Sequence, residues 1–442
     1  MSPDPAGAVP SERAAIAFAR IVCAALLCGC ATFGHGAAAL PPLESEGELY
    51  VELKPGASLP LESISALRAD GTAIQLQPNT TGTDSIRYQH LIATGRLEAG
   101  QYAGLLAVNG KTEQRIEAPF SISRQAATVL GIDGKTGVIP PKTLLSLLGF
   151  CTNSAWQSLS IFDKRAREIT GVIPTGRAPW GIALDSVSNR AYLSLAEDDQ
   201  VAVVDLLSGH ELARIRLNAG DSPRELVLTP DRRFVISANA GSNTVSFLDL
   251  RGLVETARVQ VGEEPVFLLP DRGGRRLFVF NQRSNSISVL DLSTRAIIAT
   301  LSTDNSPLRA QIDRANARLY VATGRAAYLT VYSLADFSAQ QRVYVGMGTT
   351  ALKVDSDTDL LYVANADGHV SVFDPFSLIP IDQLDLPEGA TSLAIDAAEN
   401  VLFALMPERG AVAAIQLTTK STLALFDVGK APRVLALIGE RN

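Results

Sequence analysis

From residue 178 to the end of the chain, one pattern of short apolar runs recurs every 41 to 44 residues. Six copies open with "APWGIALD" at 178, "SPRELVLT" at 222, "EPVFLLPD" at 264, "SPLRAQID" at 306, "GTTALKVD" at 348 and "GATSLAID" at 389. An apolar run such as "RFVISAN" follows, then an alternating run such as "NTVSFLDL" (243–250) or "NSISVLDL" (285–292), then a last alternating run such as "TARVQV". Gly, Asn, Asp and Ser fill the gaps, which marks them as turns. Four short strands in about 40–45 residues make one β-propeller blade. A single blade cannot cover its own two faces, whereas a closed ring packs each sheet between two neighbours and leaves only short edges.

The two ends of the repeat region supply a seventh copy. "APRVLALIGERN", 431–442, matches a first strand, and "LGFCTNSAWQSLSIFDKRAREITGVIP" upstream matches the other three. The expected fold is therefore all-β: a seven-bladed propeller over 147–442, closed by its carboxyl-terminal strand. Asp163, Asp205, Asp249, Asp291 and Asp374 align at the ends of the third strands, where an aspartate caps a turn by accepting backbone N–H groups.

The wording of "LYVANADGHVSVFD" (361–374), "FVISANAGSNTVSFLD" (234–249) and "GFCTNSAWQSLSIFD" (149–163) is similar to the YVTN-type (NHL/YncE-like) propeller repeat. The resemblance covers about two thirds of the chain and implies architecture. It does not imply one activity, because such repeats occur in surface proteins, periplasmic binding proteins and a few enzymes.

Residues 47–124 lack the period. They read as six or seven short strands with Ala-Asp-Gly and Val-Asn-Gly-Lys hairpin turns, the pattern of a small β-sandwich. "RLEAGQYAGLLAV" is similar to the Pro-Gly-x-Tyr strand of immunoglobulin-like and transthyretin-like modules of exported proteins. Residues 125–146 read as a connection, although "AATVLGI" could extend a sheet on either side.

At the start of the chain, Arg13 and Arg20 precede the apolar run "IVCAALLCGC", which is the length of a secretory h-region and too short to cross a bilayer. Leu27-Cys28-Gly29-Cys30 resembles the bacterial lipobox. That resemblance implies a signal over 1–29, cleavage before Cys30, diacylglycerol on its sulfur and a tether over 30–46. Cys28 at the second place, and Asp4 and Glu12 ahead of the run, depart from the pattern; the alternative is an ordinary secretory signal cut after "GHGAAA". Ala31 lies where Asp would signal retention in the inner membrane, so the resemblance implies an outer-membrane lipoprotein, on its periplasmic or surface face. The alternative location is soluble, periplasmic or secreted.

A net charge of −7 and the lack of any Lys/Arg-rich run argue against nucleic acid as a partner. His35, His90, His210 and His369 are scattered without ligand spacing, so no metal site is expected. No haem-attachment motif and no Gly-x-Ser-x-Gly elbow occurs, so no cofactor is implied and no catalytic residue stands out. Gly110-Lys111-Thr112 and Gly134-Lys135-Thr136 read as turns, since neither has the upstream glycine of a phosphate loop. Cys151, inside a strand, reads as a small buried hydrophobe.

Alternation places Ile182, Leu226, Leu268, Leu352, Leu393 and Leu435 between blades and the other register of the first strands on the central channel. In that otherwise apolar lining the polar exceptions are Glu225, Arg309, Gln311 and Lys353. They could bind an anionic or zwitterionic small molecule, or they could pair with one another and with channel water. The functional expectation is a lipid-anchored binding or scaffold protein that engages a protein or cell-envelope partner, or a small molecule in the channel. The alternative is an enzyme, a lyase or hydrolase at the channel mouth; a dehydrogenase role lacks any cofactor motif.

Overall fold

The computed structural model describes residues 46–53, 62–78, 91–122, 127–132, 138–139, 144–206, 209–324 and 326–440. The signal run, Cys30, the tether up to residue 45, His35 and His90 lie outside the described residues.

Nine strands between residues 46 and 139 form two sheets. One orders Gln77–Pro78, Leu91–Glu98, Glu46–Leu53, Ala127–Ile132 and Val138–Ile139; the other orders Ala73–Gln75, Ser63–Arg68, Gly100–Asn109 and Thr112–Ile122. Leu49, Val51, Leu97 and Leu130 of the first share a core with Ile64, Leu105, Ile116 and Phe120 of the second. The run "RLEAGQYAGLLAV" is broken at Ala99, and its two halves lie in different sheets. Gly110, at φ 60°, makes the tight turn into Thr112–Ile122. Beyond the turn Tyr102 stacks on its cross-strand partner Phe120 with ring centroids 5.1 Å apart. Part of the stretch read as a connection proves to be strand: Ala127–Ile132 pairs in parallel with Glu46–Leu53 and turns back on Val138–Ile139. The β-branched and aliphatic "ATVLGI" fits a sheet position, and only the sheet edge of Glu46–Leu53 decided which one.

Residues 148–437 form seven four-stranded antiparallel sheets, six of them simple meanders from a first strand outwards. Blades 2 to 7 begin with Pro179–Asp185, Pro223–Leu228, Pro265–Pro270, Pro307–Ile312, Thr349–Val354 and Ser392–Asp396. Blade 1 takes Leu148–Asn153, Ser158–Asp163 and Glu168–Pro174 from one end of the repeat region and Pro432–Leu437 from the other. Pro432–Leu437 pairs antiparallel with Leu148–Asn153, matching Gly149 to Leu437 and Cys151 to Leu435. The first strands neighbour one another in order, and Pro432–Leu437 touches those of blades 7 and 2, which completes the circle.

Ile182, Leu226, Leu268, Leu352, Leu393 and Leu435 are all buried in clusters that fill the spaces between blades, as alternation requires; Ala310 holds the place in blade 5. Cys151 is fully buried and burial pushes its thiol far above the ordinary range, so it packs and does not react. Four of the aligned aspartates cap turns through their side chains. Asp291 Oδ1 accepts from the N–H groups of Ser293 (2.9 Å) and Thr294 (2.8 Å), and Asp163, Asp249 and Asp374 do the same in their blades.

Closure is reinforced where the chain ends meet. Ser154 N–H donates to Ala431 O at 3.1 Å and Ile438 N–H to Leu148 O at 3.1 Å. Lys164, almost fully buried, donates to Asp396 at 2.5 Å and to Ile438 O at 2.8 Å. A buried ammonium persists only with such partners, so the ring is held shut by both apolar packing and a satisfied charge.

Candidate functional site

The recurrent proline of the first strands is followed, in three consecutive blades, by Arg433, Trp180 and Arg224. The guanidinium of Arg224 lies 3.9 Å from the Trp180 ring centroid and that of Arg433 4.3 Å from it. Both distances are well inside cation–π range, so two cations bear on one indole. Around them lies a cleft of about 400 Å³ rimmed by small residues, Ser154, Ala155, Ala178, Ala196, Ser222 and Ala431, with Glu197 also on its wall. That volume suits a small ligand.

The backbone holds these side chains at the channel mouth in a specific way. Ala178, Ser222 and Ala431, each just before its proline, are left-handed at φ 48°, 47° and 50°. Each thereby turns its carbonyl onto the hairpin of its own blade, accepting from Ala196, Ala240 and Ser154 N–H. Bulges then interrupt the register of Pro179–Asp185 and Pro223–Leu228. Thr152 Oγ1 donates to Trp180 O at 2.6 Å and accepts from Val434 N–H at 3.2 Å, tying the first strands of blades 1 and 2. Ser194 does likewise one blade on, accepting from Gly181 N–H at 2.7 Å and donating to Arg224 O. Gly181 is needed there: a Cβ would sit 2.3 Å from Arg224 O.

The two arginines differ from most others in the ring. Arg258 pairs with Asp221 and Glu255, Arg276 with Asp271, and Arg177 with Asp198. Arg433 Nε donates to the Ser154 hydroxyl at 3.0 Å, whereas Arg224 Nε is buried with no acceptor. Burial lowers the basicity of Arg224, with Glu264 pulling the other way and Arg433 adding to the decrease. Partial desolvation by the surrounding protein lowers that of the otherwise exposed Arg433 as well.

The four polar residues expected on the channel wall separate into two groups. Glu225 and Arg309 lie below the mouth, close enough to feel each other's charge but not paired. Enclosure by protein pushes the Glu225 carboxyl up to about 7, against the pull of Arg309 and the Leu226 N–H. Burial lowers the basicity of Arg309, whose guanidinium lies 5.3 Å from the Phe267 ring centroid and donates to Leu308 O. Gln311 is half-buried one layer further in, opposite Tyr320. Lys353, at the place on its strand that Gln311 holds on its own, is nearly fully buried and pairs with Glu440 at 2.6 Å beside the closure.

Trp180, Arg224 and Arg433 were missed in the sequence because alternation counted from the buried leucines skips the residue after the proline. The bulges restore it to the mouth. Among the histidines, His369 opens the strand His369–Phe373, where its Nδ1 lies 2.8 Å from Asp385 and 2.9 Å from Gln383.

A circle of radial four-stranded antiparallel sheets defines a β-propeller. The family model described as "YNCE-like beta-propeller" matches residues 157–357, which supports a YncE-type propeller for the ring. Two solved structures are similar to it. One, described as a functionally unknown protein from Desulfotomaculum acetoxidans, is 12% identical with a TM-score of 0.59, covering 66% of this chain and 99% of that one. The other, "Dihydro-heme d1 dehydrogenase NirN in complex with DHE", is 14% identical with a TM-score of 0.52, covering 66% of this chain and 76% of that one. At such identities the likeness is one of fold alone. No curated protein matches the chain.

Proposed function

We propose that this chain is a lipid-anchored binding protein of the bacterial cell envelope, whose propeller presents its mouth face to a protein or envelope partner. The observation that carries this reading is the cleft around Trp180, where an aromatic ring and two arginines stand together on a face built of rigid strands. Trp and Arg are the residue types that dominate binding energy at recognition surfaces. The anchor rests on Leu27-Cys28-Gly29-Cys30 and its likeness to a lipobox. Capture of the tagged chain from its native envelope tests the role. A partner recovered with wild type and lost with Trp180→Ala and with Arg433→Glu supports it; identical eluates from all three overturn it. Labelled palmitate retained by Cys30→Ser would remove the anchor from the reading.

Catalysis at the mouth, by a lyase or hydrolase, is the second reading, and Glu225 favours it: a carboxyl that titrates near neutrality suits a general base. Turnover of any envelope-derived substrate that disappears in Glu225→Gln, with partner capture unchanged, would decide for the enzyme.

A further inference from the structure

We propose that the cleft formed by Trp180, Arg224 and Arg433 is an oxyanion site, which takes the carboxylate or phosphate group of a small molecule. The proposal rests on the reading of the mouth as a binding face and names what that face holds.

Three features point to an anion. Two guanidiniums converge on one indole, at 3.9 and 4.3 Å from its centroid, and among the described residues neither has a carboxylate partner. Like charges brought together in protein repel, and a bound anion offsets that repulsion. Arg224 Nε is buried with its proton unaccepted, an unmet donor in the wall of the cleft. Finally, the guanidinium fork matches the geometry of carboxylate and phosphate, while stacking on Trp180 holds the fork in place before the ligand arrives. Ser154, which accepts from Arg433 Nε, leaves that guanidinium's terminal amines for the ligand. Glu197 on the wall narrows the choice to ligands that place their negative charge on the arginine side.

The chain contains two tryptophans, Trp156 and Trp180, so Trp156→Phe leaves the cleft residue as the sole indole reporter. The full chain with that substitution is titrated with citrate and, separately, with inorganic phosphate at constant ionic strength, following Trp180 emission. A saturable change with Kd below about 1 mM for either probe, weakened at least about tenfold by Arg433→Met and by Arg224→Met, is expected. Tighter citrate binding identifies a carboxylate ligand and tighter phosphate binding a phosphate ligand. Emission that stays flat with both probes, or that sodium chloride shifts equally, overturns the proposal, as does undiminished affinity in Arg433→Met. Arg433 is exposed, so its variant tests the site without endangering the fold. Partner capture that persists when both probes fail would reject the oxyanion site alone, and probe binding without capture would reject the partner alone.

Discussion

Glu225 shows how a single enclosed carboxyl links the channel to pH. Its ordinary value of 4.5 is raised to about 7 in the folded ring. Between those values the unfolded chain has released its proton while the folded chain keeps it. Stability therefore falls as pH rises from about 4.5 to about 7 and levels off above. Glu225→Gln removes that slope, so the variant should exceed wild type by on the order of 2 kcal/mol at pH 8 and match it near pH 4.5. Urea midpoints at the two pH values check this; a difference that ignores pH would refute the assignment. Gly181 makes the opposite kind of demand, on space alone. With a methyl group 2.3 Å from Arg224 O and 2.9 Å from Glu225 Cα, Gly181→Ala should cost about 1–3 kcal/mol and shift Trp180 emission, since blades 2 and 3 must part.

At the scale of the strand, four blades end their second strand in a buried asparagine: Asn153, Asn239, Asn281 and Asn365. In blade 3, Asn239 Nδ2 donates to Thr244 (3.0 Å) and Ser246 (2.7 Å), and its Oδ1 accepts from Ser237 (2.9 Å). Asn281 makes the same two donations, to Ser286 and Ser288, but its Oδ1 is buried without a donor. Asn239→Ala should therefore destabilise by about 1–3 kcal/mol and Asn281→Ala by less, in thermal unfolding of otherwise identical chains. Equal losses would mean that the amide oxygen contributes nothing. These asparagines, like the capping aspartates, were legible as a recurring letter at a recurring place. The mouth residues were not. A bulge adds one residue to one strand of a pair, and strict alternation, the rule that placed the first-strand leucines between blades, fails beyond it.

For the whole ring the decisive element is the last strand. Removing residues 431–442 strips blade 1 of Pro432–Leu437, uncovers Cys151 and deprives the buried Lys164 of the Ile438 carbonyl. A drop of more than about 5 °C in thermal midpoint is expected. An unchanged midpoint would mean that the ring does not depend on this closure. The same tail supplies a partner for Lys353: Glu440, which comes near only after the chain has travelled round the circle.

Periodicity dictates most of this molecule: four short strands in some forty-two residues, repeated, bury their apolar faces against neighbouring copies, here as wedges round an axis. The turn caps, the inter-blade leucines and the seventh wedge shared between two ends all follow from that local pattern. Which side chains meet at the mouth does not. Trp180 and Arg224 belong to consecutive blades, Arg433 joins them only on closure, and local bulges aim Trp180 and Arg224 there. Contacts between positions so far apart in the chain leave no trace in its period, so only the closed ring could reveal them.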